Sequence, residues 1–203
     1  PEINYAIKGF CWYQGESNAL AMPEAKMYGD LLKNLIQSWR AKFESDLPFY
    51  YVQIAPFDGY YPKDAAAYLR EQQELALDLP NTGMVSVGDL VDNIKDIHPR
   101  LKAAVGSRLA NLVLKEQYHF SDLQPYSPRF SKMEIDNQTA HISVSSIGKL
   151  TCKEPEIKGF QMAGNDKVFF HAKAIIARNC EIIIQCEKVT SPVAVRYCFS
   201  NEE

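Results

Sequence analysis

The order of apolar patterns along these 203 residues predicts an α/β fold, a parallel sheet with helices, followed by a small β-rich domain. Three observations predict it. Strand-type runs alternate with helical stripes up to about residue 120; a Pro/Ser-rich stretch, SDLQPYSP at 121–128, breaks the pattern; beyond it the helical stripes cease. The expected domains are therefore 1–120 and 121–203.

Residues 6–13 (AIKGFCWY) form a short apolar run of strand type, and the loop after it holds Gly15, Asn18 and Pro23. Leu31, Leu32, Leu35, Ile36, Trp39 and Phe43 then recur at helical spacing, which predicts a helix over 25–43. Pro48 and Pro56 bracket a second strand, FYYVQI at 49–54. Residues 65–79, rich in Ala, Leu, Glu and Gln, predict a second helix, because these side chains lose little freedom in one. TGMVSV at 82–87 is a third strand and LKAAVGSRLANLVL at 101–114 a third helix. Strands separated by helices pair in parallel, and ligands then bind at the strands' carboxyl ends. Those ends are the loops that start at Gln14, Pro56 and Gly88. In the last third, HISVSSI, KVFFHAKAII, CEIIIQC and VAVRYCF, separated by Gly, Asn, Asp and Pro, predict strands of an antiparallel sandwich.

With 46% hydrophobic residues the chain can bury one good core or two modest ones. Its formal net charge is −3 and its 22 Lys and Arg are scattered, so neither nucleic acid nor an anionic membrane is an expected partner. No apolar run approaches the roughly 20 residues that span a bilayer. The five cysteines form no C-x-x-C pair and have no histidine at zinc-finger spacing, so no metal is expected. Cys11, inside an apolar run, is expected to be a small buried hydrophobe. Cys152, Cys180, Cys186 and Cys198 read as free thiols, with one or two disulfides among them left open.

Two loops carry groups suited to hydrolysis. Gly15-Glu16-Ser17-Asn18-Ala19 is one residue short of the G-x-S-x-G turn that presents a serine nucleophile, having Ala19 where the second glycine belongs. In GDLVDNIKDIHP at 88–99, Asp96 and His98 could supply a carboxylate and the imidazole it orients. The remaining histidines have plainer settings: His119 ends a helix, and His141 and His171 fall in the β-rich part.

WYQGESNA, the Trp39-Arg40 pair, LPFYYVQIAPF, LREQQ and DIHPRLKAAVGSRLA, in this order, resemble the sialate O-acetylesterase family of SGNH-type carbohydrate esterases. The tail, with IKGFQMAGNDKVFFHAKAII and SPVAVRYCFS, resembles the β-rich part of that family. The resemblance implies a flavodoxin-like SGNH sheet and a cofactor-free serine esterase that removes O-acetyl groups from carbohydrate, above all sialic acid. It also implies a secreted, periplasmic or lysosomal protein. Under it His98 is the general base and Asp96, in the D-I-H-P form, its partner, with Asp89 or Asp92 as alternatives. Gln14, Gly15 and Asn18 belong to the oxyanion side, Glu16 orients their loop through backbone N–H groups, and Arg70 and Gln73 line the sugar side. The family's nucleophile is a serine in a GQSN-like motif of an earlier strand-loop. The expectation is thus a C-terminal portion whose nucleophile comes from an upstream segment or another chain.

Two rival readings remain. One keeps Ser17 as nucleophile of an α/β-hydrolase in the order Ser17, Asp89 or Asp92, His98; Ala19 and Pro23, which would delay the helix, weigh against it. The other is a carbohydrate-binding or scaffold protein without catalysis.

Overall fold

The computed structural model describes residues 5–145, 150–177 and 180–202. The chain forms two compact units, one of residues 1–125 with 200–203 and the other of residues 126–199. The last residues thus belong to the first unit, whereas the composition alone put them with the β-rich part.

In the first unit β1 (Phe10–Trp12), β2 (Phe49–Val52) and β3 (Thr82–Val85) form a parallel sheet in the order β1-β2-β3. The register pairs Phe10 with Phe49 and Phe49 with Thr82. All four residues of β2 are buried, as a strand covered on both faces requires. Phe49 and Tyr51 join Leu32, Ile36 and Leu69 of α1 (Met22–Phe43) and α2 (Ala65–Leu75) in one core. Tyr50 and Val52, on the opposite face, pack with Val85, Val105 and Leu112 under α3 (Lys102–Tyr118). Gly29 lets α1 and α2 approach closely, since a Cβ there would lie 2.8 Å from Gln72 Oε1.

Cys11 corrects the sequence reading. It points away from the α1 face, where Phe10 and Trp12 pack, and it is exposed because α3 packs on β2 and β3. Burial nonetheless pushes its thiol pKa up. Pro23 is also corrected: it stands in the first turn of α1, which opens at Met22, because a missing N–H costs nothing there. At the amino ends of the strands, buried Arg40 donates to the carbonyls of Leu47, Pro80 and Asn81 at 3.0, 2.8 and 3.2 Å.

In the second unit β4 (Arg129–Asp136), β5 (Thr139–Ser145), β9 (Glu181–Gln185) and β8 (Lys173–Ile176) form one antiparallel sheet, in the order β4-β5-β9-β8. β10 (Ala194–Tyr197), β6 (Phe160–Ala163) and β7 (Phe170–His171) form another, in the order β10-β6-β7. Ile142, Ile182 and Ile184 from one sheet and Phe160 and Met162 from the other share a core. β4 had no place in the sequence reading; its residues are exposed apart from half-buried Met133, so it lacks a clear alternation. The end of the HISVSSI run, 146–147, lies outside the described residues. Cys152 and Cys186 are free thiols near the carbonyls of Glu156 and His171. Among the described residues no cluster of His, Cys, Asp and Glu could hold a metal ion, and no helix is long and apolar enough to cross a membrane.

Candidate active site

Because the three strands run parallel, the loops after β1, β2 and β3 emerge at one end of the sheet. The first carries Gln14 to Asn18, the second Phe57 to Asp64, and the third Asp89 to His98.

The first loop turns at Gly15, whose φ of 146° excludes other residues in practice. A Cβ there would also lie 2.8 Å from Ile54 Cγ2 and 3.1 Å from Leu69 Cδ2. Gly15 therefore serves close packing of the protein on itself. The chain then enters a 3₁₀ helix, Glu16–Leu20, closed by the Asn18 N–H to Gly15 carbonyl bond at 2.9 Å. Gln14 is fixed on both sides of its amide. Its Nε2 donates to Asn18 Oδ1 at 3.0 Å, and the Tyr28 hydroxyl on α1 shares its proton between Gln14 Oε1 at 2.9 Å and the Gln14 carbonyl at 2.8 Å. Among the described residues, the second Gln14 Nε2 hydrogen and the Asn18 amide group have no acceptor and remain open as donors. Ser17 is exposed on the 3₁₀ turn that precedes α1.

Gln73 is fully buried, and this corrects its expected place on the sugar side. Its Oε1 accepts the Ile54 N–H at 2.9 Å, its Nε2 donates to the carbonyls of Val52 at 3.3 Å and Gln14 at 3.5 Å, and its own carbonyl accepts the Tyr51 hydroxyl at 2.6 Å. One side chain thus ties α2 to the ends of β1 and β2. Arg70, one turn earlier, is half-buried, with Nη2 donating to the Ser200 carbonyl. Its own carbonyl accepts Gln53 Nε2 at 3.2 Å, and Gln53 Oε1 accepts the Ser86 hydroxyl at 3.0 Å.

Glu16 accepts no backbone N–H among the described residues, contrary to the loop-orienting role expected of it. Its charge instead acts on phenols. Burial first, and the Glu16 charge second, push the Tyr13 phenol up to about 12. The same two causes, in the same order, lead the larger upward shift of Tyr60. Both hydroxyls are buried and have no hydrogen-bond partner among the described residues. Sequence reasoning missed them, as it missed Tyr28, because a tyrosine carries no local sign of what its hydroxyl will meet.

In the third loop Asp96 Oδ1 accepts the His98 backbone N–H at 2.9 Å, and His98 Nδ1 lies 3.9 Å from the same oxygen. The pair is therefore close, with the ring beyond hydrogen-bond length. The His98 side chain is 86% exposed. Asp89 is engaged elsewhere, by a two-pronged pair with Arg108 at 2.7 and 2.6 Å, and Arg108 also donates to the Ser86 carbonyl at 2.6 Å. The Asp89 side of that pair raises the Arg108 pKa further. Asp92 is exposed and makes no hydrogen bond among the described residues. Of the three aspartates, Asp96 is the one beside the imidazole.

Amide donors at the end of β1 and an aspartate–histidine pair at the end of β3 are groups that acyl transfer can use. Residues 2–115 match the family model described as carbohydrate esterase, sialic acid-specific acetylesterase, and the chain belongs to that family of carboxylic ester hydrolases. The mouse sialate O-acetylesterase is 33% identical over 184 residues, which take in 80% of this chain and 33% of that protein. The human sialate O-acetylesterase is 26% identical over 181 residues, 80% of this chain and 34% of that protein. A crystal structure of a carbohydrate acetylesterase from Xanthomonas citri matches with a TM-score of 0.91 and 34% identity, over 100% of this chain and 47% of that one. The chain thus spans about a third of the curated relatives it matches.

Proposed function

We propose that this chain supplies the histidine and the oxyanion loop of a carbohydrate O-acetylesterase whose substrate is an O-acetylated sialic acid. The observation that carries the reading is the common end of the sheet from which the Gln14–Asn18 and Asp96–His98 loops emerge, in a chain of this family. His98 Nε2 takes the proton of a serine hydroxyl as its oxygen attacks the acetyl carbonyl. The imidazolium returns that proton to the departing sugar oxygen, and a water deprotonated by His98 then releases acetate and restores the serine. Asp96 holds the ring through Nδ1, once the ring closes the short gap to Oδ1.

The tetrahedral oxyanion draws on the free Gln14 Nε2 hydrogen and on Asn18 Nδ2. Each well-aimed donor of this kind is worth about 3–4 kcal/mol in the transition state. The nucleophile is a serine outside these 203 residues. Support for that assignment lies in Ser17 itself, exposed on a 3₁₀ turn and, among the described residues, without a hydrogen bond to an imidazole. Arg70 contributes to the sugar side through the loop it braces.

The test uses the full-length protein, 4-nitrophenyl acetate and an O-acetylated sialic acid. His98→Ala is expected to lower kcat by roughly a thousandfold or more, and Ser17→Ala by no more than a few fold. A fluorophosphonate label should map outside these residues. Labelling of Ser17 would overturn the nucleophile assignment, and glycan binding without turnover would favour a carbohydrate-binding protein.

A further inference from the structure

We propose that Asn201 is a positioning residue for the histidine loop, acting through the loop that follows β2; the proposal rests on His98 as the general base. Asn201 is 8% exposed, and with Arg40 and Gln73 it makes up the buried polar residues of the described chain. The chain leaves the first unit after Pro125 and re-enters it at Ser200.

The Asn201 side chain is spent on one segment. Its Oδ1 accepts the Ala66 N–H at 2.9 Å, and its Nδ2 donates to the Tyr60 carbonyl at 2.8 Å and the Pro62 carbonyl at 3.3 Å. Ala66 is the second residue of α2, and the residue before that helix, Asp64, is left-handed and makes no capping bond of its own. An N-cap side chain normally accepts from this N–H, so Asn201 caps α2 from 135 residues away. Arg70 Nη2 holds the neighbouring Ser200 carbonyl, and the Glu202 N–H to Ser200 Oγ bond at 3.1 Å closes the turn.

An anchored Asn201 presents its own carbonyl, which accepts the Phe57 N–H at 2.8 Å. The next residue, Asp58, donates its N–H to the Ile94 carbonyl at 3.0 Å. Among the described residues this is the one hydrogen bond joining 92–98 to the rest of the protein. Within the segment, Asp96 N–H bonds Asn93 O at 3.1 Å, and Asp96 Oδ1 holds the His98 N–H. His98 has an exposed ring, so its loop must supply the positional restraint: Ile97 packs against the core beneath α1 and α2, Pro99 is buried, and the backbone adds one hydrogen-bonded tether. That tether runs from Asn201 through Phe57, Asp58 and Ile94.

Backbone amide exchange in the full-length protein tests the restraint directly. Asn201→Ala is expected to speed exchange at Ala66, Phe57, Asp58 and Asp96 by at least ~10-fold under conditions where the protein stays folded. Arg40→Met, which removes a buried anchor at the opposite end of the strands, should lower the melting temperature while leaving the Asp96 amide unchanged. If Asn201→Ala releases Ala66 and leaves Asp96 protected, Asn201 is a helix cap alone and the proposal fails. Should Asn201→Ala not fold, Asn201→Asp, which keeps the acceptor for Ala66 and loses both donors, is read at the same Asp96 amide.

In the full-length protein Asn201→Ala should lower kcat on 4-nitrophenyl acetate by about 10- to 100-fold, with KM within about twofold. Faster exchange at Asp96 with unchanged kcat would also overturn the proposal. An activity indifferent to His98→Ala would instead overturn the reading of the site.

Discussion

Tyr28, on α1, donates its hydroxyl to Gln14 twice, at the carbonyl and at the side-chain oxygen, 2.8 and 2.9 Å away. One phenol thereby fixes which end of the Gln14 amide carries the donors. With Oε1 occupied by Tyr28 and one Nε2 hydrogen by Asn18, the remaining hydrogen is aimed by a rigid frame. If Gln14 serves the oxyanion as proposed, Tyr28→Phe is expected to keep the fold and lower kcat on an acetyl ester by about tenfold, with little change in KM, since a donor that wanders loses more transition-state than ground-state binding. Steady-state kinetics of the full-length protein check this. An equal rise in KM at constant kcat would assign Tyr28 to substrate binding.

Gly15→Ala should be costly for stability. Both its left-handed φ and the contacts a Cβ would make with Ile54 and Leu69 oppose any side chain. Strain of this kind and overpacking each cost about 1–3 kcal/mol. Urea unfolding of the variant should show a lower midpoint at unchanged slope; a midpoint within error of the parent would mean that the loop can turn without the glycine.

Asp96 and Asp89 are separable by substitution. Under the proposed mechanism, Asp96→Asn should lower kcat on 4-nitrophenyl acetate by roughly a hundredfold or more, because the imidazole then loses the carboxylate nearest its Nδ1. Asp89→Asn breaks a partly exposed pair with Arg108, whose loss costs at most about 1 kcal/mol of stability. Its kcat should stay within a few fold of the parent, and a larger loss for Asp89→Asn than for Asp96→Asn would reverse the assignment.

Tyr13 makes the protein sensitive to alkali. Its phenol, near 10 in the unfolded chain, is pushed up to about 12 by burial and by Glu16. The folded state therefore binds the proton more tightly, so this contribution is fully present below pH 10 and declines as the pH rises through about 12. Melting temperatures measured from pH 9 upward should fall less steeply in Tyr13→Phe than in the parent. A parallel decline in the two proteins would count against the shift.

The central elements were legible because their signals are local. An apolar stripe of period 3.6 marks α1 from Leu31 to Phe43, and the bracketing prolines mark β2, whatever the rest of the chain does. β4 was illegible for the same reason: its exposed residues show no clear two-fold alternation, and its pairing with β5 defines it. Cys11 looked buried from its neighbours, but which strands α3 would cover was not written in them.

At the site, the sequence by itself determined the chemistry on offer: an amide-bearing loop after β1, an aspartate two residues before a histidine after β3, and a parallel sheet that sends both loops to one end. The tertiary structure alone decided how those groups are held. Tyr28 meets Gln14 across 14 residues, Gln73 meets Ile54 across 19, Arg108 removes Asp89 from contention across 19, and Asn201 reaches Ala66 across 135. A hydrogen bond requires two groups within about 3 Å, and a buried polar group must find such a partner from any part of the chain or lose stability. Periodicity records the face a residue occupies; only closure of the fold chooses the distant group that satisfies it.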